Sequence, residues 1–349
     1  MISPDQLARF EHVRDVLGQP DALDETLGAL ETFQPPEKIA SGLSGGRIRR
    51  VVLTGMGASF HALYPLHLKL TALGLTAILV ETSELIHYQQ RLLQPDSLLI
   101  AVSQSGRSVE ILRLLETARG RGPLIGVTNS PGSPLRERCD YAVITQAGTE
   151  SSVSTKTYVA TLAALEWLGE ALGGGDLSAA LSRLRTAVPG MRSYLRDWQE
   201  HVTALTAYLA PVRHVFLTGR GVSLATACEG GLVLKEAAHF PAEGMGCAAF
   251  RHGPLDMAEP GILVCVFAGD EKTAEVNRGL ARDVEAAGGL AAWIGPDAGE
   301  AVFRIAAAAP EARPLLEILP VQMISLALAA RAGREPGRFA RLGKVTTVE

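Results

Sequence analysis

The sequence predicts an α/β fold of two similar lobes, each a mostly parallel sheet flanked by helices in three αβα layers, related by internal duplication. Two observations predict it. Residues 49–59 read RRVVLTGMGAS and residues 213–223 read RHVFLTGRGVS, each an apolar run that closes on Thr-Gly-x-Gly-x-Ser and leads into a helical stretch. The offset of 164 residues is close to half of the 349-residue chain, so one plan is used twice. Short apolar runs then alternate with helical patterns after each copy, as parallel sheets covered on both faces require.

The elements follow in order. After the first copy, strands are expected over 76–82, 97–103 and 123–129; after the second, over 262–268, 290–295 and, briefly, 301–307. A helical region from 157 to about 210, broken at Gly173–Gly175, joins the lobes. The predicted division is an N-terminal helical segment 1–35, a first lobe 36–195, a second lobe 196–335 and a C-terminal tail 336–349.

Composition narrows the function. The net charge of -4 supplies no field to gather nucleic acid or an anionic membrane, so an anionic ligand must be held locally. Four scattered cysteines without C-x-x-C spacing read as buried, reduced thiols and give no metal site. The polar, helical start is no signal peptide, and no apolar run is read as long enough to span a bilayer. The expectation is a cytoplasmic protein.

In such folds ligands sit beyond the carboxyl ends of the strands. There, LLIAV runs into Ser103-Gln104-Ser105-Gly106 and then into an amphipathic helix. Gly106 permits a tight turn; Ser103, Ser105 and Ser108 offer hydroxyls, and the helix start offers amides and a partial positive charge. This set predicts a phosphate site built without lysine. Ser59, at the first βα turn, adds a hydroxyl. The matching loop of the second copy, Val266 to Asp270, has no serine and carries an aspartate that repels phosphate. One phosphate site per chain is expected.

The second lobe offers CEGGLVLKEAAHFPAEGMGCAAFRHGP at 228–254. Helical character over 224–239 puts Glu229 and Glu236 on one face, with Glu236 near the helix end, where the dipole disfavours a carboxylate as suits a general base. His252 lies in a turn-rich stretch before Gly253-Pro254, and Lys344 follows Gly343 in the tail. Taken alone, Glu236, His252 and Lys344 also fit ordinary surface roles, so composition leaves this lobe open.

GMGASFHA, AVSQSG, VTNSPGSPL, AGTE with STK, CEGGLVLKE, AEGMG, RHGPL, LPVQ and the closing KVTTVE, taken in order, resemble the sugar isomerase (SIS) family, and within it the isomerase half of the glucosamine-6-phosphate synthases. The similarity runs from about residue 40 to the end. It implies that Ser59, Ser103, Gln104, Ser105 and Ser108 bind a sugar phosphate, with Val153, Ser154 and Gly343 also around the sugar. It implies that Glu236 moves a proton between C1 and C2, and that His252 of a neighbouring subunit assists ring opening, hence a homodimer. It implies that Lys344 forms a Schiff base with the ketose, under a tail folded over the substrate. No cofactor and no metal are implied, and no nucleic-acid or membrane partner.

The sequence also departs from that pattern. Val233 stands where the synthases have a further active-site lysine, Arg107 replaces an acidic residue, and Ala249 replaces a glutamate. The loop at 153–156 is one residue shorter, which leaves open which serine of 151–154 faces the sugar. The chain opens in the isomerase half, so production of ammonia from glutamine is not expected of this polypeptide alone. The expected function is aldose–ketose isomerisation of an amino-sugar or amine-conjugated sugar 6-phosphate, by deamination or the ammonia-dependent reverse. The alternatives are a non-catalytic sugar-phosphate-binding regulator and the isomerase subunit of a transaminase with a separate glutaminase.

Overall fold

All six residues of β3 (Ser97–Val102, SLLIAV) are buried, the pattern of a central parallel strand with helices on both faces. The structure, a computed structural model, describes residues 1–339, 341 and 343–346. Around β3 stand β1 (Arg50–Gly55), β2 (Thr76–Glu81), β4 (Leu124–Thr128) and β5 (Tyr141–Ile144). Their order is β2-β1-β3-β4-β5, with every pair parallel. The second sheet holds β6 (His214–Gly219), β7 (Ala242–Gly246), β8 (Ile262–Phe267) and β9 (Leu290–Ile294), in the order β7-β6-β8-β9 and again all parallel. The two copies of the Thr-Gly-x-Gly motif end β1 and β6, at matching places in their sheets. The α/β fold with a repeated plan is thus the observed one.

The chain forms two compact units. One comprises Asp21–Glu150, Lys156–Arg185 and Arg341–Glu349 and contains β1–β5; the other comprises Met1–Pro20, Ser151–Thr155 and Thr186–Ala340 and contains β6–β9. In the β1–β5 unit, Val52, Leu99 and Ala101 pack with Leu114 and Leu135 from the flanking helices. In the β6–β9 unit, Phe216, Val264 and Val266 do the same with Phe250 and Leu280.

Three expectations need correction. No strand forms over 301–307: Ala301–Phe303 make one 3-10 turn and only Gly295 and Arg304 bridge. The Arg304 guanidinium donates to the carbonyls of Ala298 and Gly299, which folds this segment back on itself. The cysteines are not uniformly buried. Cys139 and Cys228 are partly exposed, while burial pushes the Cys265 thiol up to about 12. Finally, helix Arg313–Arg331 is long and apolar enough to cross a membrane by length and composition, yet 94% of that window is buried. It is the central core helix of the β6–β9 unit, packed on helix Ser223–Ala238.

That core helix carries a buried acid. Glu317 is 1% exposed and accepts hydrogen bonds from Ser223 Oγ (2.7 Å) and Thr226 Oγ1 (3.3 Å). Burial pushes its carboxyl up to about 7, against the lowering effect of the Ser223 bond, Arg313 and the Thr226 bond. Because the folded pKa lies above the unfolded one, the folded chain holds the extra proton. The associated stability is fully present below the unfolded pKa and is lost as pH rises through about 7. Glu317→Gln, which keeps the hydrogen bonding without the ionisable group, is therefore expected to flatten the fall in melting temperature between pH 5 and pH 8 and to raise stability at pH 8. The ceiling on that gain is about 3 kcal/mol. A pH profile of Tm identical to wild type would overturn this assignment.

Candidate active site

The loop that leaves β3 is shaped by its neighbours. Gly106 has φ +61, and a Cβ there would lie 2.4 Å from Ser133 Oγ, so conformation and space both demand glycine. The Gln104 carbonyl accepts hydrogen bonds from the Asn129 amide (3.1 Å), Thr128 Oγ1 (3.1 Å) and Ser130 Oγ (3.2 Å), all at the end of β4. Ser103 Oγ accepts from the Gly106 amide at 3.1 Å and keeps its own proton for a ligand. The loop is thus fixed by one backbone and two hydroxyl bonds to the Gln104 carbonyl, and its hydroxyls are positioned without a ligand.

Ser108 occupies the N-cap position of helix Val109–Thr117, but its side chain makes no capping bond. The Val109 amide instead donates to the carbonyl of Thr346 (3.2 Å) in the C-terminal tail. A cleft of about 130 Å³ lies here, lined by Ser59, Ser103, Gln104, Ser105 and Ser108 together with Lys344 and its neighbours Val345 and Thr346. That is the room of about four water molecules, the scale of a phosphate group. The structure therefore gathers five sequence-selected residues and Lys344 in one place.

Lys344 is held there by a partner that sequence reasoning did not single out. Its Nζ donates to Glu150 Oε2 at 2.8 Å. The Glu150 side chain is fully buried and also accepts from the Thr157 amide (3.1 Å) and Thr157 Oγ1 (2.6 Å), at the start of helix Lys156–Gly173. Glu110 was also missed. It lines the same cleft from the first turn of its helix, and its buried Oε2 has no hydrogen-bond partner among the described residues. Both were visible only as letters of longer motifs, Glu150 in AGTE and Glu110 after SQSG. Their signal was position: each lies just beyond a strand or loop that faces the ligand end of the sheet.

The β6–β9 unit places its candidates as follows. Glu236 is half-buried in the last turn of helix Ser223–Ala238, which ends at His239 in the left-handed region (φ 51). His252 is exposed, immediately after helix Cys247–Arg251 and before Gly253 at φ 132. Val153 is core, packed with Val233, Ala237 and Phe339, so its side chain does not face solvent; Ser154 is half-buried. Gly337 anchors the base of the tail in this unit, its amide donating to the Ala237 carbonyl (3.0 Å) and its carbonyl accepting from Ser152 Oγ (2.7 Å). Gly343 is exposed; residues 340, 342 and 347–349 of the expected tail lie outside the described residues. The second βα loop behaves as its sequence suggests. Asp270 Oδ1 caps helix Glu271–Ala286 by accepting from the Thr273 amide and Oγ1, after Gly269 at φ 71.

Among the described residues no three His, Cys, Asp or Glu side chains gather as a metal site. What the β1–β5 site offers is hydroxyl and amide donors for an anion and one amine beside a buried carboxylate.

Known proteins share this plan. The chain is 31% identical over 97% of its length to the glutamine–fructose-6-phosphate aminotransferase (isomerizing) of Pyrococcus horikoshii, and spans 58% of that protein. Its fold matches the C-terminal domain of the glucosamine-fructose-6-phosphate aminotransferase of Francisella tularensis, with TM-score 0.81 and 20% identity over 97% of this chain and 98% of that one. It also matches a glucosamine-6-phosphate deaminase of Thermotoga maritima, with TM-score 0.75 and 17% identity over 97% and 100% of the two chains. The SIS domain model matches twice, at residues 47–171 and 208–332, once on each sheet and its helices. The chain belongs to the SIS domain family and carries the domain in duplicate.

Proposed function

We propose that this chain is an aldose–ketose isomerase that acts on an amino-sugar or amine-conjugated sugar 6-phosphate. The observation that carries the reading is the single cleft shared by Ser59, Ser103, Ser105, Ser108 and Lys344. It supplies donors for a phosphate and an amine for a carbonyl, the two things an imine-forming sugar-phosphate enzyme needs. The identity to the P. horikoshii aminotransferase, over nearly the whole chain, supports the same substrate class.

The chemistry assigns roles. The serine loop, with Gln104, holds the phosphate through hydroxyls and amides. In the deaminating direction the opened aldose bears its aldehyde at C1 and its amine at C2. Glu236 takes the C2 hydrogen as a proton and returns it to C1, while an amine proton passes to the C1 oxygen; the product is a C2 imine. The Lys344 amine adds to C2, the nitrogen leaves as ammonia, and water then releases the ketose and restores Lys344. Glu150 positions Lys344 and is placed to receive the proton that the ammonium must shed before it attacks. His252, exposed on its unit, assists ring opening from the partner subunit of a homodimer.

Two measurements test this. With glucosamine 6-phosphate, formation of a ketose phosphate and ammonia in equal amounts is expected, and Glu236→Gln should slow it by about 10²–10⁴-fold. Borohydride added with a ketose 6-phosphate should reduce a covalent adduct on Lys344, seen as a mass increase that is absent in Lys344→Ala. Binding with neither adduct nor turnover would sink the enzyme reading and leave a sugar-phosphate-binding module.

The dimer is tested by mixing two inactive variants, His252→Ala and Glu236→Gln. If His252 acts across a two-fold interface, hybrid dimers regain one intact site and the equilibrated mixture recovers about a quarter of wild-type activity. No recovery, with hybrid dimers shown to form, would place His252 in its own subunit's site.

A further inference from the structure

On the other side of Gln104 lies a larger, mostly polar cleft. It measures about 470 Å³ and opens at the ends of β3, β4 and β5, among Gln104, Arg107, Asn129, Thr145, Gln146 and Glu150. Gln104 lines this cleft and the serine cleft alike, and Glu150, which lines this one, holds the Lys344 of the other. The two spaces therefore meet at the pair that carries the proposed amine chemistry.

Its walls are fixed in advance. Asn129 Oδ1 accepts from Thr145 Oγ1 (2.9 Å) and the Ala147 amide (3.0 Å), and its Nδ2 donates to the Gly148 carbonyl (2.9 Å). With both side-chain polar atoms and the amide of Asn129 engaged, this residue serves as scaffold. Arg107 is different. It is exposed at the cleft and touches only carbonyls at long range, Nε to Ser105 (3.4 Å) and Nη2 to Gly132 (3.5 Å). Those bonds are weak, and among the described residues Arg107 forms no ion pair. The other charge on the wall, Glu150, is already matched by Lys344. The cleft thus presents one uncommitted guanidinium, a group suited to bind a carboxylate through two parallel bonds.

We infer that this cleft is a subsite for the substituent on the substrate nitrogen, and that Arg107 selects a substituent bearing a carboxylate, so that the substrate is a sugar 6-phosphate conjugated to an amino acid. This rests on the reading that the serine loop holds the phosphate and Lys344 meets the sugar carbonyl. Free ammonia as the amine would need no such space, whereas a nitrogen carrying a carboxyl-ended chain beside Glu150 finds room and a counter-charge. The inference is about recognition and adds no step to the reaction.

Calorimetry on the full chain tests it with three stable probes: a hexitol 6-phosphate, its 2-amino-2-deoxy analogue bearing an N-carboxypropyl chain, and the same analogue ending in a primary amide. The carboxylate probe should bind wild type about tenfold more tightly than the amide probe. Arg107→Ala should erase that difference while leaving the affinity for plain hexitol 6-phosphate unchanged. Equal affinity of the two substituted probes for wild type would overturn the inference, as would a preference that survives Arg107→Ala. If plain hexitol 6-phosphate fails to bind wild type, the phosphate-loop reading fails first and the subsite falls with it.

Discussion

Burying a carboxylate is costly unless it is paired and hydrogen-bonded, and Glu150 meets that condition by joining three parts of the chain. Its oxygens accept from the amide and hydroxyl of Thr157, at the start of a long helix, and from Lys344 in the tail. Glu150 itself ends the segment that follows β5. One side chain therefore satisfies a helix start, fixes the exit of an edge strand and sets the tail lysine over the serine loop. Removing it would take these two hydrogen bonds from Thr157 and this ion pair from Lys344. The candidate chemistry and the local fold depend on the same carboxylate.

The rest of the site follows from the parallel sheet. Parallel strands end at one edge, so loops far apart in sequence converge there. Both loops hold a glycine at positive φ, Gly106 and Gly269, one position out of register, and the two loops are used differently. After β3 the turn frees hydroxyls, because the Gln104 carbonyl is held by the end of β4 and Ser108 caps nothing with its side chain. After β8 the Asp270 carboxylate is consumed in capping its own helix. Duplication supplied two matching loops, and their side chains differ: the loop after β3 carries serines and the one after β8 an aspartate that caps its helix.

The elements legible in sequence were those whose physics is local. β2, β3, β4, β8 and β9 lie within a residue or two of the expected ranges, and β1 and β6 lie in the two copies of the repeated motif. β7 was hidden because its sequence, AEGMG, has poor strand propensity. Its glycines are required by packing instead: a Cβ on Gly244 would sit 2.0 Å from the Ala227 carbonyl oxygen, where helix Ser223–Ala238 lies directly on the strand. β5 has only four residues and β4 as its sole neighbour. The serine loop could be read because its donors are consecutive. Glu150 could not, since its worth comes from Thr157 and from Lys344, 194 residues away. Pairings of that separation are made by the fold, and no periodicity announces them.

The contrast between fixed and releasable parts bears on how such a site would work. The serine loop is pinned by backbone and hydroxyl bonds from the end of β4. The tail, by contrast, touches this unit through the Val109–Thr346 backbone bond and the Lys344–Glu150 pair, with Gly343 and Thr346 exposed beside them. An ammonium resting on a carboxylate is no nucleophile, so an imine-forming Lys344 must give up its proton and leave Glu150. A phosphate bound first in the rigid loop would set the sugar carbonyl before that happens. On the proposed reading, the group that would recognise the phosphate lies on the loop tied to the end of β4, and the amine that would form the bond lies on the tail.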